Sequence, residues 1–387
     1  MHSRKDNRTN SQVCISIIGN QALSLINFRE SIIIDMVKRG IRVLALAPDY
    51  DDAKRDKVRA MGAQPIDFSL SRNGMNPLRD IADMLRLALL LQRLDPVISF
   101  AYFTKPVIYG TLAAWIVNIP KRFAMIEGLG YAFSEEDRGK SLKLKILRWI
   151  IIQLYTIALH RTERVFFLNE DDVKEFIHLK IISSNKVVQL SGIGVDLDKW
   201  KPVQSVMKPA TFLLAARLLK EKGIIEYANA AKVIKQKHPD TQFILLGSLD
   251  SNPGALSRHE IEQLSADCGI KWHGYVPDVR PWIARASVFV LPSYYREGVP
   301  RSIQEAMAMA RPIITTDAPG CRETVIEGEN GFLIPLHNID ALIDAMQQFI
   351  LHPQLIERMG QSSRRIAEER FDEERINQII MREMGVI

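Results

Sequence analysis

Short apolar runs separated by whole helical segments recur along this chain, and that alternation limits the fold more than any other feature. Residues 12–18 read as a buried strand ending at Gly19-Asn20, and a helical pattern follows from about Asn27 to Lys38, closing at Gly40. Further strands are predicted over 41–47, 64–68, 97–101 and 122–126, with helices over 53–61, 78–94 and 105–117 between them. Antiparallel neighbours need only a tight turn, whereas strands joined through a helix lie parallel. A doubly wound, Rossmann-like sheet follows, rather than a sandwich or a bundle.

After strands over 164–168 and 186–190, glycines, prolines and charges crowd into 191–209, and a strong new strand begins at Ala210. The alternation then repeats. A chain of 387 residues exceeds the length of about 250–300 residues at which a single core stops growing. Two α/β domains are therefore predicted, over residues 1–198 and 199–387.

Hydrophobic content of 47% supplies two cores, and a net charge of +6 favours anionic partners such as sugar nucleotides, phospholipid or nucleic acid. Cys14, Cys268 and Cys321 lack metal-type spacing, which predicts reduced, mostly buried thiols in a cytoplasmic protein. The lone loop Gly19-Asn20 is not a G-x-G-x-x-G fingerprint, so a nicotinamide enzyme is disfavoured. Nucleic-acid binding lacks an aromatic-basic platform. No signal peptide is visible, and no run reaches the roughly 18 apolar residues of a membrane span. Residues 146–159 are nearly all apolar but too short to cross a bilayer. Lys140, Lys143, Lys145 and Arg148 lead into that run, and Trp149 and Tyr155 suit an interface. The apolar part reads as a core helix, and the basic 140–148 region as a contact with an anionic membrane surface if the substrate is lipid-borne.

The chemistry concentrates in 293–310, between predicted strands 288–292 and 312–316. Ile303, Ala306, Met307 and Ala310 form the buried stripe of a helix that starts near Pro300. Glu305 points away from that stripe, and Glu297 lies eight positions earlier in the preceding loop. Both carboxylates lie near a helix N-terminus that attracts phosphate. Arg217 and Lys222 follow the first strand of the second half and so stand at the same sheet edge. With Gly223 and Gly298 they form a diphosphate cradle that needs no metal, and a nearby carboxylate suits the vicinal hydroxyls of a ribose. In the first half, the segment from Glu127 to Phe133 leaves the ligand-facing end of a strand. Its glycines permit close backbone approach, and Tyr131 and Phe133 offer stacking faces; a plain tight turn is the competing reading.

The order Arg217, Lys222-Gly223, Glu297-Gly-Val-Pro, Glu305-Ala, Gly320, Glu323 and Asn330-Gly331 resembles the retaining glycosyltransferases of family 4, which have the GT-B fold. The resemblance implies two Rossmann-like domains facing each other across a cleft, with the acceptor on the first, the nucleotide-sugar on the second, and terminal helices packing back toward the first. It implies that Arg217 and Lys222 hold the donor diphosphate, Glu297 contacts the donor sugar and Glu305 binds the ribose. Gly19, Gly247, Gly298 and Val299 would line the donor, with no metal and no cofactor beyond the nucleotide-sugar. Glu127, Gly128 and Tyr131 would serve the acceptor, Glu127 by orienting or deprotonating its hydroxyl. The segments 127–131 and 294–296 are similar to the subgroup that extends bacterial lipid-linked saccharides. The expected activity is transfer of a hexose or N-acetylhexosamine from a UDP-sugar to a polyprenyl-diphosphate-linked saccharide at the inner face of the plasma membrane. A non-hydrolysing sugar-nucleotide epimerase or a phosphorylase shares the architecture.

Overall fold

The computed structural model describes residues 12–71, 76–129, 133, 142–250, 252 and 254–387. Its first sheet holds β1 (Cys14–Ile18), β2 (Arg42–Ala47), β3 (Gln64–Asp67), β4 (Ile98–Tyr102), β5 (Lys121–Ile126), β6 (Arg164–Phe167) and β7 (Val187–Gln189). The second holds β8 (Thr211–Ala215), β9 (Gln242–Leu246), β10 (Ile270–Trp272), β11 (Val288–Leu291), β12 (Ile313–Thr316) and β13 (Gly331–Ile334). The orders are β3-β2-β1-β4-β5-β6-β7 and β10-β9-β8-β11-β12-β13. Every pairing is parallel, with Ile15 opposite both Val43 and Ile98, and Phe212 opposite both Phe243 and Val288. These are two Rossmann-like sheets, and each reverses its winding beside its first strand, where ligands bind in such folds. All five residues of β1 and of β8 are buried, because helices cover both faces. Each fully buried Leu, Ile or Phe there stabilises the fold by about 1.5–3 kcal/mol.

Two helices depart from the pattern read in the sequence. The helix predicted over 27–38 is two helices, Ala22–Phe28 and Glu30–Lys38, broken at Arg29, whose φ of −129° and ψ of 2° are not helical. The helix predicted over 105–117 opens with a wider turn at Pro106–Gly110 before Thr111–Ile116. A Cβ on Gly110 would already lie 3.3 Å from Ile18 Cδ1, so this segment packs close to β1.

The connection between the sheets is held by Arg311, whose fully buried guanidinium donates to the carbonyls of Val203, Gln204 and Ile283. Burial lowers its pKa to about 10. At the C-terminus, helix Glu373–Met384 lies on the first domain. Asn377 Nδ2 donates to Ser31 Oγ at 3.0 Å, and Arg164 Nε meets Glu383 Oε2 at 3.2 Å. Helix Leu142–Leu159 buries Tyr155, Ala158 and Leu159 but leaves Leu142, Ile146, Trp149 and Ile150 in solvent. Among the described residues, no helix is long and apolar enough to cross a membrane. Lys140, Gly130 and Tyr131 lie outside the described residues, as does the side chain of Lys143.

Candidate active site

Lys222 reaches the site because the chain leaving β8 tightens into a short helical turn, Lys220–Lys222, and reverses at Gly223. Gly223 has a φ of +73°, and a Cβ on it would fall 2.1 Å from the carbonyl oxygen of Pro292, so only glycine lets the turn dock on the loop after β11. The two loops are stitched by the Glu221 carbonyl, which accepts from the backbone N–H groups of Tyr294 and Tyr295 at 2.9 and 3.2 Å. In that setting Lys222 Nζ pairs with Glu297 Oε1, and Ser293 Oγ donates to the same oxygen at 3.0 Å. The ammonium also lies 5.3 Å from the Tyr295 ring centroid. Lys222 and Glu297 side chains are 10% and 12% exposed, enclosed yet open to a ligand.

Directly against this pair stands the first domain. A Cβ on Gly128 would come 2.5 Å from the nitrogen of Gly298, and one on Gly298 would come 2.9 Å from the carbonyl carbon of Glu127. Gly320, after β12, closes the junction from a third side, since its Cβ would sit 2.1 Å from the Gly298 oxygen. The sequence-predicted acceptor segment and donor loop therefore touch through glycines. Glu127 forms a buried ion pair with Arg29, whose guanidinium lies 4.5 Å from the Tyr102 ring centroid. Tyr102 Oη is 2.9 Å from Ser24 Oγ, and a Cβ on Gly19 would meet that same Oη at 2.5 Å. Gly19 thus adjoins the first-domain network.

Glu305 occupies a different place. Arg301 Nε meets its Oε1 at 3.1 Å, and it lines an interdomain cleft of about 1110 Å³ with Phe28, Lys199, Trp200, Tyr275 and Glu373. Burial pushes its carboxyl up to about 6, with Arg301 opposing the shift. The open helix face predicted for Glu305 is roofed by the first domain, which leaves the side chain 16% exposed. Arg217 does not join Lys222: it meets Asp250 at 3.5 Å and remains 42% exposed. Gly247 admits a close approach of Ala216, whose oxygen would be 1.9 Å from a Cβ there. Val299 has its side chain in the core, while its carbonyl accepts from Gln304 Nε2 at 3.0 Å. The three cysteines are free and buried, and burial pushes the Cys321 thiol up to about 12.

Arg29 and Asn169 are not singled out by the sequence reading, and Arg296 enters there only as part of the 294–296 segment, with no role of its own. Arg29 had a signal: it falls on the apolar stripe of Leu25, Ile32 and Met36, where an arginine has to find a buried partner. Asn169 had none, because its two bonds to the Glu297 and Gly298 carbonyls, 3.1 and 2.9 Å, cross between domains.

Two facing Rossmann-like sheets with their ligand-binding edges in contact define the GT-B architecture. Residues 197–366 match the family model for glycosyl transferases, group 1. The chain is 29% identical over 330 residues to the N,N'-diacetylbacillosaminyl-diphospho-undecaprenol alpha-1,3-N-acetylgalactosaminyltransferase of Campylobacter jejuni, covering 82% of this chain and 84% of that one. It is 27% identical to the UDP-Gal:alpha-D-GlcNAc-diphosphoundecaprenol alpha-1,3-galactosyltransferase of Escherichia coli, over 77% of this chain and 76% of the relative. Among solved structures, Anabaena HepE in complex with UDP and glucose superposes with a TM-score of 0.75 at 18% identity, covering 97% of this chain and 100% of that one. Sucrose-phosphate synthase from Thermosynechococcus elongatus gives 0.76 at 16%, covering 96% and 98%. The chain has the GT-B fold, and residues 197–366 of its second half match the group 1 glycosyl transferases.

Proposed function

We propose that the protein moves a hexose or N-acetylhexosamine from a UDP-sugar to the sugar of a polyprenyl-diphosphate-linked saccharide, with retention of configuration. The observation that carries this reading is the Lys222–Glu297 pair, seated where the backbone of Gly298 meets Glu127 and Gly128 of the other domain. A donor with its sugar at Glu297 places its anomeric carbon at that junction, within reach of an acceptor on the first domain. Lys222, with Arg217 turning in from the edge, stabilises the charge that builds on the departing diphosphate, the largest electrostatic demand of the reaction. These two cations meet that demand without a metal. Glu297 contacts the hydroxyls of the donor sugar, and Glu305, in the cleft beyond, accepts hydrogen bonds from the ribose. Glu127, with one oxygen engaged by Arg29, orients the acceptor hydroxyl. The names of the Campylobacter and Escherichia coli relatives support a lipid-diphosphate-linked acceptor.

The exposed Leu142, Ile146, Trp149 and Ile150, beside the exposed Lys145, give helix Leu142–Leu159 an apolar, basic face for an anionic leaflet. That contact would bring the protein to its substrate at the inner surface of the plasma membrane. The test is incubation with a panel of UDP- and GDP-sugars and short polyprenyl-diphosphate sugars, with and without a chelator. Product masses and the anomeric coupling constant are then read. The expected result is one UDP-sugar consumed, one sugar added in the donor's configuration, and no effect of the chelator. Release of free sugar or epimerised nucleotide-sugar, with no acceptor product, would overturn it.

A further inference from the structure

Arg296 immediately precedes Glu297, yet its charge is answered from the other domain. The side chain is 9% exposed. Its Nη2 meets Asp172 Oδ1 at 3.2 Å, Nη1 lies 4.0 Å from Glu175 Oε2, and Nη1 donates to the Phe133 carbonyl at 3.5 Å. Asp172 and Glu175 both belong to helix Glu170–His178 of the first domain, which Asn169 caps. Asn169 accepts from the Asp172 N–H at 2.8 Å and donates to the carbonyls of Glu297 and Gly298. A second-domain loop is thus gripped on its side chain and on two carbonyls by one helix end of the first domain. Glu175 is also held by Arg148 of helix Leu142–Leu159, at 2.6 Å.

We propose that Arg296, held by Asp172 and Asn169, is a positioning residue that sets the Glu297 carboxylate in place only while the two domains are docked. The inference rests on the role given above to Glu297. Its physical basis is that the groups holding the Arg296 side chain and the Glu297 and Gly298 carbonyls, namely Asp172, the Phe133 carbonyl and Asn169, all belong to the first domain, so these restraints on the loop are lost once that domain withdraws. Rotating Arg296 into solvent drags the adjoining Glu297 away from Lys222 and Ser293. The clamp therefore joins the closed domain arrangement to a working site.

Asp172 also makes the clamp sensitive to pH. Burial pushes its carboxyl up to about 7, against the opposing influence of Arg296 and Asn169, while the neighbouring Asp171 adds to the rise. Asp171 is itself paired with Arg322 at 3.1 Å, Glu175 with Arg148, and the buried Tyr155 hydroxyl stays neutral. Below about pH 7 Asp172 gains a proton and the pair loses one of its charges.

The test uses the full-length protein with Asp172→Asn, Arg296→Met, Arg296→Lys and Glu297→Ala. Hydrogen exchange of peptides over 293–300 is followed by mass spectrometry, alongside kcat and donor KM. For Asp172→Asn and Arg296→Met we expect exchange over 293–300 to quicken and kcat to fall, each by about tenfold, with donor KM within about threefold. Arg296→Lys should recover part of kcat, and the acid limb of kcat near pH 7 should vanish in Asp172→Asn. Should Arg296→Met not fold, the nearly isosteric Asp172→Asn carries the same two readouts. Unchanged exchange in Asp172→Asn overturns the clamp whatever the activity. Faster exchange with wild-type kcat overturns its connection to Glu297. A Glu297→Ala variant as active as wild type overturns instead the role assigned to Glu297, and exchange then still decides whether the clamp exists.

Discussion

Each of the two facing sheet edges carries one cation–glutamate pair, and the pairs are built to different ends. On the first domain, Arg29 and Glu127 are 4% and 9% exposed, and the guanidinium is backed by the Tyr102 ring and donates to Met125 Sδ at 3.1 Å. Opposite stand Lys222 and Glu297, with Ser293 as an extra donor. A guanidinium is a planar fork that several groups can fix at once, whereas an ammonium on a flexible stem is a point charge that can change partners. The first pair holds a loop in shape. The second leaves its lysine able to exchange partners, the property that the proposed donor site requires.

The largest expected effect lies in the second pair. Glu297→Ala or Lys222→Ala should lower turnover by about a thousandfold, the scale of losing a preorganised electrostatic contact. The double variant should lose little more, since the two residues act as a unit. Steady-state rates with the cognate donor and acceptor check this, and strictly multiplicative losses would mean independent roles. In the first pair the expected damage is to stability. Arg29→Met leaves Glu127 buried without a partner and should cost about 3–5 kcal/mol in urea unfolding. An equal loss in Lys222→Met would erase the distinction between the pairs.

A smaller effect is expected where the two edges touch. Gly128 has a φ of +93°, and its Cβ would overlap the backbone of Gly298. Gly128→Ala should therefore cost about 1–3 kcal/mol through overpacking, read from the same unfolding curves, and loosen the domain contact. The smallest effect concerns Glu305. With its carboxyl raised to about 6 from an ordinary 4.5, it takes up a proton as pH falls through 6 and can no longer accept two ribose hydroxyls. Donor KM should rise a few-fold between pH 7 and 5.5, on the scale of about 1 kcal/mol, and Glu305→Gln should flatten that dependence. The sign for stability is opposite. The native state binds this proton more tightly than the unfolded chain does, so the contribution of Glu305 is full below about pH 4.5 and is lost as pH rises through 6. A pH-independent donor KM in the wild type would exclude a hydrogen-bonding role for the ionised carboxylate.

The sequence was most readable where one period governs a whole element. Apolar strands between helices announced both parallel sheets, and the stripe of Ile303, Ala306 and Met307 located the helix that carries Glu305, although Ala310, read as its last member, lies past the helix end with a φ of +60°. Glycines marked the tight loops at Gly223 and Gly298, because a reversal with positive φ or a backbone contact leaves a compositional trace. Arg29 shows where periodicity misleads. The apolar stripe continues across it, so the pattern reads as one helix, while the chain breaks to aim the guanidinium at Glu127, 98 positions away. Arg217 and Lys222, close in sequence and alike in charge, reached different partners because Asp250 and Glu297 stand on different loops.

From the sequence alone come the two Rossmann-like halves and the loops that hold the carboxylates and cations, since hydrophobic period, proline and glycine placement act over a few residues. Only the tertiary structure decided which charges meet. Glu127 with Arg29, Arg296 with Asp172, and the glycine contact between residues 128 and 298 join segments far apart in the chain. Partners in such contacts are chosen by domain docking and the cost of burying an unpaired charge, neither of which leaves a mark on local sequence.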